Sequence, residues 1–553
     1  MDLYGHKDFE PDAIAAGRFR PAANAEIGRV VRIEGATSEV ALDRRLIEAL
    51  ATDEDPAIAQ SGQVGGQVKM KVGSSLLIAN VRNLRFETAD GERLIAQIDF
   101  LGEGDEDPAT GQLYNFRRGV TRYPLPGCRV HPVTDSDMKQ IFATDDRPHI
   151  QVGTVFPTAD VRAGLFVDAL LGKHFALLGS TGTGKSTATA LILHRICDLA
   201  PNGHIVMLDP HGEYPAAFPK GARFNVDNLE MPYWLMNFEE HCEVFLTGTG
   251  AERQFDADIL AKCLLQARSR NRAAQGITKL TVDSPVPYVL SDLTTAITTE
   301  MGKLDRAGDT APYLRLKTKI DEIKGDPRYA FMFSGMLVAD RMADFLGRVF
   351  RLQSDGPPIS IVDLSGVPSD IVSVVVSVLS RMVFDYALWA RENERRPVLL
   401  VCEEAHRYVP SRLEGQGAAV RRILERIAKE GRKYGISLGL VTQRPSDLAE
   451  GVLSQCGTII SMRLNNERDQ AFVRAAMPEG AKGFLDVVPA LRNRECIVCG
   501  EGVSIPIRVR LDDLEEELRP ASADPYFSEV WSEPVSDHEA LDRIVARWRS
   551  QTR

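Results

Sequence analysis

At 553 residues the chain has room for roughly three or four domains, and with 44% hydrophobic and 26% charged residues it has the composition of an ordinary globular protein, not a disordered one. The 66 Lys and Arg against 77 Asp and Glu leave a net charge of −11, which excludes a surface coated in cations for indiscriminate nucleic-acid binding but permits a local basic channel. Eight scattered cysteines (Cys128, Cys197, Cys242, Cys263, Cys402, Cys456, Cys496, Cys499) and an opening "MDLYGHKDFEPD" without a leader pattern predict reduced thiols in a cytoplasmic protein, and charge or glycine is expected to keep every apolar run short of the ~18 residues a membrane span needs.

After a tail over 1–24, residues 25–140 alternate in short stretches such as "IGRVVRIEG", "QVKMKVGSSLLIANV" and "RLIAQIDFLGEG", separated by Gly, Asp and Asn turns. This pattern predicts a small antiparallel β-barrel, with "GEGDEDPATG" as a solvated hairpin loop. Over 141–232 and again over 346–510 the rhythm becomes strand, glycine turn, helix, strand, the signature of a parallel α/β core. "HFALLG", "HIVMLD", "ISIVDL", "PVLLVCEE", "ISLGLVTQ" and "GTIISM" are its short apolar strands, expected to be covered on both faces. Between the two parts, 233–345 has helical spacing and few strand signals, and is predicted to be a helical insertion. Cys496 and Cys499 form a CxxC within "ECIVCG", which has the look of a buried strand; a zinc site would need a second ligand pair that the sequence lacks. From 511 to 553 the chain turns acidic, passes "SADPYF", and ends in an amphipathic helix with a basic finish.

Chemistry concentrates in the core. Gly179-Ser180-Thr181-Gly182-Thr183-Gly184-Lys185-Ser186 fits G-x-x-x-x-G-K-[ST] between a strand and a helix. Its glycines let backbone amides wrap a phosphate at a helix N-terminus. Lys185 would reach the β- and γ-phosphates of ATP, Ser186 would ligate Mg²⁺, and Thr187 would lie alongside. "VLLVCEEAH" ends a strand in Glu403, expected to hold the metal's water shell, and Glu404, expected to act as general base. Gln443, just after another strand, is a candidate sensor of the γ-phosphate. Asp209 and His211 in "LDPHGEY" are candidates for contact with the nucleotide, although packing explains His211 equally well.

Taken together, "LLGSTGTGKS", "LDPHGEY", "MPYWLMNFEE", "VCEEAHRYVP", "RIAKEGRKYG" and "VTQRPSDL" resemble the HerA branch of the HerA/FtsK superfamily over nearly the whole chain. The resemblance implies a RecA-like P-loop ATPase core with an N-terminal barrel, a helical insertion and a C-terminal strap. It also implies a homo-hexamer that pumps double-stranded DNA through a pore, in partnership with a NurA-like nuclease or, in some bacterial relatives, another anti-phage effector. A ring would complete each site with an arginine from the next subunit. "VRRILERIAKEGRKYG" offers Arg432, with Arg426 in reserve, while a solvated charged helix explains the same residues. Pore contacts need only a few cations per subunit; "ARSRNR" (Arg268, Arg270, Arg272) and "SRLEGQGAAVRR" (Arg421, Arg422) are candidates, or ordinary surface turns. An alternative with the same site chemistry is an ATP-switched ring scaffold that licenses an effector enzyme. The remaining carboxylates and lysines form no nuclease pattern, so the isolated chain is not expected to cut DNA.

Overall fold

The computed structural model describes residues 25–550 except 36, 88–92, 109–110, 145, 305–309, 336, 353–355, 413–416, 478–481, 522–526 and 533–538. The tail 1–24, most of "SADPYF" and the middle of "SRLEGQGAAVRR" therefore lie outside the described residues. The chain divides into two compact units. One runs to Leu170 and includes Leu178–Lys185 and Gly457–Asp513; the other comprises Leu171–Leu177, Ser186–Cys456 and the chain from Leu514 onward.

The first unit begins with β1 (Gly28–Glu34), β2 (Thr37–Leu42), β3 (Gln67–Val72), β4 (Ser75–Glu87), β5 (Arg93–Glu106), β6 (Leu113–Arg118) and β7 (Arg129–Pro132). Their order is β2-β1-β7-β3-β4-β5-β6, and β2 also pairs with β5 from Thr37 opposite Asp99 to Leu42 opposite Leu94. Six strands thus close into the barrel that the alternation predicts, and β6 is added outside the closure. The inward residues, among them Val30, Val40, Val68, Met70, Leu77, Val81, Ile98 and Val130, form a single buried cluster. Closure satisfies both edges of every barrel strand, which an open sheet cannot do. The sequence reading misses one detail. "GEGDE" belongs to β5 and is not loop, because Gly102 and Gly104 let β6 lie close: a Cβ at Gly102 would meet the Arg117 carbonyl at 2.3 Å.

The same unit carries β8 (His149–Val155), β9 (Arg162–Phe166), β16 (Thr458–Ser461), β17 (Glu495–Gly500) and β18 (Ile507–Leu511). These pair antiparallel in the order β16-β17-β18-β8-β9. The sequence predicted a parallel core, and this antiparallel flank is the main departure from it. Gly, Pro and Arg break up the apolar runs in "HIQVGTVFPTADVRAGLF", as suits hairpin strands rather than a doubly covered sheet. Cys496 and Cys499 lie buried in β17, where desolvation pushes both thiols up to about 12, so they remain protonated.

In the second unit β11 (Ile205–Asp209), β12 (Ala222–Phe224), β13 (Ile359–Asp363), β14 (Val398–Cys402) and β15 (Ile436–Thr442) pair parallel in the order β12-β13-β11-β14-β15. β10 (Phe175–Leu178) extends this sheet beside β15. Every residue of β11, β13, β14 and β15 is buried, as continuous apolar runs require. The predicted insertion is helical, with long helices at Gly250–Ser269, Leu290–Met301 and Ala311–Gly325 around an aromatic cluster of Tyr233, Tyr288, Phe245 and Phe333.

One expectation is corrected. The helix Val372–Trp389 is long and apolar enough, on length and composition, to cross a membrane. Sixty-one per cent of it is buried inside the protein, and its Arg381 and Asp385 pair with each other at 3.0 Å, as befits a core helix.

Candidate nucleotide site

The phosphate loop belongs to the first unit. The buried strand β10 delivers Gly179, and two glycines then take left-handed backbone, Gly182 at φ +77° and Gly184 at φ +92°. Only glycine adopts these values without strain. Thr183 turns inward, its Oγ1 donating to the Ser180 carbonyl at 2.8 Å. Neighbouring segments fix the loop from outside: the Ser180 amide donates to the Arg463 carbonyl at 2.9 Å, and the Asn465 amide donates to Ser180 Oγ at 3.1 Å. Thr181 and Gly182 form the exposed rim, while Lys185 is only 9% exposed. Lys185 starts the helix Lys185–Leu199, whose first turn includes the half-buried Ser186 and Thr187. A glycine loop at the N-terminus of a helix this long presents amides and a partial positive charge to an anion.

The acidic strand end belongs to the second unit. Glu403 and Glu404 follow β14 and are 3% and 5% exposed. Two carboxylates taken that far from water need polar partners. The Tyr214 hydroxyl donates to Glu403 Oε2 at 3.0 Å, and Tyr214 is itself fully buried, which drives its own pKa well up. Glu404 has φ +50°, uncommon for a residue with a side chain and a mark of stored backbone strain. Its Oε2 lies 3.2 Å from His406 Nδ1, which is also 3.0 Å from Thr442 Oγ1. That hydroxyl in turn accepts from the Arg444 amide at 3.1 Å, so hydrogen bonds tie His406 to the end of β15 on both sides of Gln443, and Glu404 Oε2 lies beside that imidazole without a hydrogen bond to it.

Asp209 is fully buried, and its carboxylate faces its own loop. Oδ1 accepts from the amides of His211 (3.1 Å) and Gly212 (2.9 Å), and Oδ2 from that of Tyr214 (2.9 Å). Desolvation raises its pKa to about 6 against the pull of these bonds, with the nearby Asp363 charge adding to the rise. Asp209 therefore shapes the turn that seats Tyr214 under Glu403. His211 is exposed on that turn.

The arginine candidates part ways. Arg268 is fully buried, donating to the backbone carbonyls of Met236 (2.9 Å) and Trp234 (3.4 Å), and desolvation lowers its pKa. It cannot touch DNA, and that expectation is withdrawn: its place on the inner face of a long helix overrides the basic look of "ARSRNR". Arg270 pairs with Asp292 at 3.0 Å, and Arg272 is exposed. On the helix Ala418–Glu430, Arg421 pairs with Glu425 and Arg422 with Glu239, both at 2.8 Å. Arg426 lies over the Phe384 ring at 4.3 Å and near Glu430 at 3.4 Å. Arg432 is exposed, and its guanidinium has no ion-pair partner among the described residues.

Sequence reasoning missed Tyr214, His406 and Thr442. All three stand inside quoted motifs, but Tyr214 meets Glu403 189 residues away and His406 meets Thr442 36 residues away along the chain.

Together these features define a P-loop ATPase. The family model for the central domain of the helicase HerA matches residues 150–383. The chain is 26% identical to the DNA double-strand break repair helicase HerA of Pyrococcus furiosus, with 78% of this chain and 82% of that protein covered. It is 25% identical to the protein of the same name from Sulfolobus acidocaldarius, with 77% and 80% covered. Among solved structures it is similar to VirB4 of Thermoanaerobacter pseudethanolicus (TM-score 0.49, 15% identity, 68% of this chain and 99% of that one) and to the plasmid coupling protein TrwB (TM-score 0.42, 15% identity, 69% and 98%). The chain is an ATPase similar to the HerA helicases.

Proposed function

We propose that this chain is an ATP-dependent translocase or helicase that acts on double-stranded DNA as a homo-hexameric ring, feeding a partner nuclease or defence effector. The observation that carries the reading is the buried acid pair after β14, with Glu404 held in a strained backbone 3.2 Å from His406, which is itself bonded to Thr442. A strained, pre-set carboxylate is what orienting an attacking water calls for. In this mechanism the loop 179–186 binds the triphosphate and Lys185 neutralises its outer oxygens. Glu404 orients and polarises the water, and Gln443 registers loss of the γ-phosphate and passes it along the His406–Thr442 chain. Arg432 reaches the site of the neighbouring copy. Mg²⁺ suits the donors present, the Ser186 hydroxyl and, through water, the Glu403 carboxylate, because it prefers oxygen ligands and keeps much of its water shell. When bound it neutralises charge on the phosphate oxygens.

DNA would be gripped through its phosphates by a few cations per subunit, without sequence preference. Arg272 remains the first candidate, with Arg270, Arg421 and Arg422 behind it because all three are already paired. The test is ATP turnover with and without linear duplex DNA at low salt. Stimulation by DNA, abolished by Lys185→Ala and by Glu404→Gln, is expected; turnover indifferent to DNA would refute the motor.

The alternative scaffold reading has one observation in its favour. The helix Ala540–Ser550 exposes Leu541, Ile544 and Trp548, and the preceding segment exposes Phe527 and Trp531, an apolar surface that calls for protein contact. Effector activity that survives Glu404→Gln but needs the assembled ring would favour it.

A further inference from the structure

Outside the P-loop signature, one cation lies against the phosphate loop. Arg494 stands just before β17, at the end of the turn "LRNR", within the same compact unit as Leu178–Lys185. Its backbone is left-handed at φ +65°, a value that strains a side chain as bulky as arginine. In that conformation its amide donates to the carbonyl of Thr183 at 3.2 Å. Its Cγ comes within 3.7 Å of where a Cβ on Gly184 would stand. The guanidinium is drawn aside to Asp513, with Nη1 2.5 Å from Oδ2, and both partners are about half exposed. Beside it opens a cavity of about 320 Å³ lined in part by Thr154, Thr158, Arg492, Arg494 and Arg510. Glu495 also lines it but pairs with Arg508, and the side chains of Arg492 and Arg510 have no ion-pair partner among the described residues, so cations outnumber acids in the lining.

We propose that Arg494 is a nucleotide-binding residue supplied by the same chain, and that Asp513 holds it off the site until a polyphosphate arrives. The argument rests on the reading of the P-loop as the ATP site. A guanidinium whose stem passes over Gly184 lies within a side-chain swing of the inner phosphates that Gly182–Lys185 would cradle. A polyphosphate offers it more negative charge and a bidentate geometry than a single exposed carboxylate does. The strained backbone is then explained by function: a relaxed φ would carry the side chain away from the loop and break the bond to Thr183. Asp513 competes for the same cation, so its removal should help the nucleotide and removal of Arg494 should hurt it.

The experiment measures equilibrium binding of a fluorescent ATP analogue to the full-length protein and, in parallel, KM and kcat for ATP. Arg494→Ala should weaken binding about tenfold and raise KM with kcat within about twofold, the loss of one charge-assisted contact. Arg494→Lys should recover part of the affinity, and Asp513→Asn should tighten binding severalfold. If Arg494→Ala leaves affinity unchanged while Lys185→Ala abolishes it, the proposal is wrong and the ATP site stands. If Arg494→Ala and Asp513→Asn both weaken binding, the pair is a structural brace and the proposal is equally wrong. Should Arg494→Ala melt at markedly lower temperature, Asp513→Asn decides alone, tightening for the proposal and weakening against it. Absence of ATP binding by the unaltered protein would overturn both this inference and the function on which it rests.

Discussion

Glu404 and Asp209 are both acids at strand ends in quoted motifs, yet their surroundings give them different work. Glu404 lies in strained backbone beside His406, poised at the end of β14. Glu404→Gln should lower ATP turnover about 10²- to 10⁴-fold, the range for loss of a general base, while leaving binding of the ATP analogue intact. Asp209 is spent on three amides in a dry site that raises its pKa to about 6 from an ordinary 3.8. A carboxyl whose folded value is raised contributes stability in its protonated form, fully present below its unfolded value and lost as pH rises through the folded one. The melting-temperature advantage of the unaltered protein over Asp209→Asn should therefore shrink from about pH 4 to about pH 6 and stay flat above 7. A gap constant from pH 4 to 7 would show that the carboxyl stays ionised throughout. The P-loop spacing and the Glu-Glu strand end were legible in sequence because their geometry is local. Tyr214 and Arg494 were not, since each is defined by a partner from a distant segment.

The buried strands β10, β11, β13, β14 and β15 were legible almost to the residue, because burial on both faces leaves a continuous apolar run that nothing else in a globular chain demands, whereas the short, partly exposed β12 was not foreseen. Hairpin strands such as β8 and β9, with Gly and Pro inside them, leave a weaker trace. The insertion shows the limit of charge patterns. "ARSRNR" looks basic, but helical periodicity turns Arg268 inward and Arg270 outward. Arg268→Ala should lower the melting temperature and leave the salt dependence of DNA binding unchanged, as measured by fluorescence anisotropy. Glu240 is the stronger joint. It closes a capping box with Asn237, accepts from Ser377 Oγ at 2.8 Å, and pairs with Arg381 at 2.9 Å while fully buried. Asn-x-x-Glu before an apolar run announces the cap, but not the ion pair to a helix more than a hundred residues later. Glu240→Ala takes from the buried Arg381 its main carboxylate, leaving Asp385 alone, and should cost about 3–5 kcal/mol in urea unfolding; a loss below about 1 kcal/mol would mean that Asp385 or water takes its place.

At the scale of the assembled molecule, the decisive question is whether one copy completes the site of another. Arg432 is exposed and has no ion-pair partner among the described residues, unlike Arg421, Arg422 and Arg426 just before it in the chain, each held by a glutamate. An arginine kept out of local pairs is the better candidate to reach across an interface. A finger supplied by a neighbour is worth about 10³–10⁵ in turnover, so Arg432→Ala and Glu404→Gln should each be nearly inactive alone. Mixed in equal amounts and allowed to exchange, they should regain activity. In a random ring about one interface in four joins an intact Glu404 on one side to an intact Arg432 on the other, so recovery should approach about a quarter of normal turnover if interfaces act independently. That fraction does not depend on the number of subunits, so the same outcome is expected for a ring of any size. If Arg432 served its own chain, every subunit in the mixture would still carry one lesion in its own site, and no exchange could restore activity. Recovery with the pair Glu404→Gln and Arg426→Ala, but not with Arg432→Ala, would move the finger six residues upstream and leave the shared site in place.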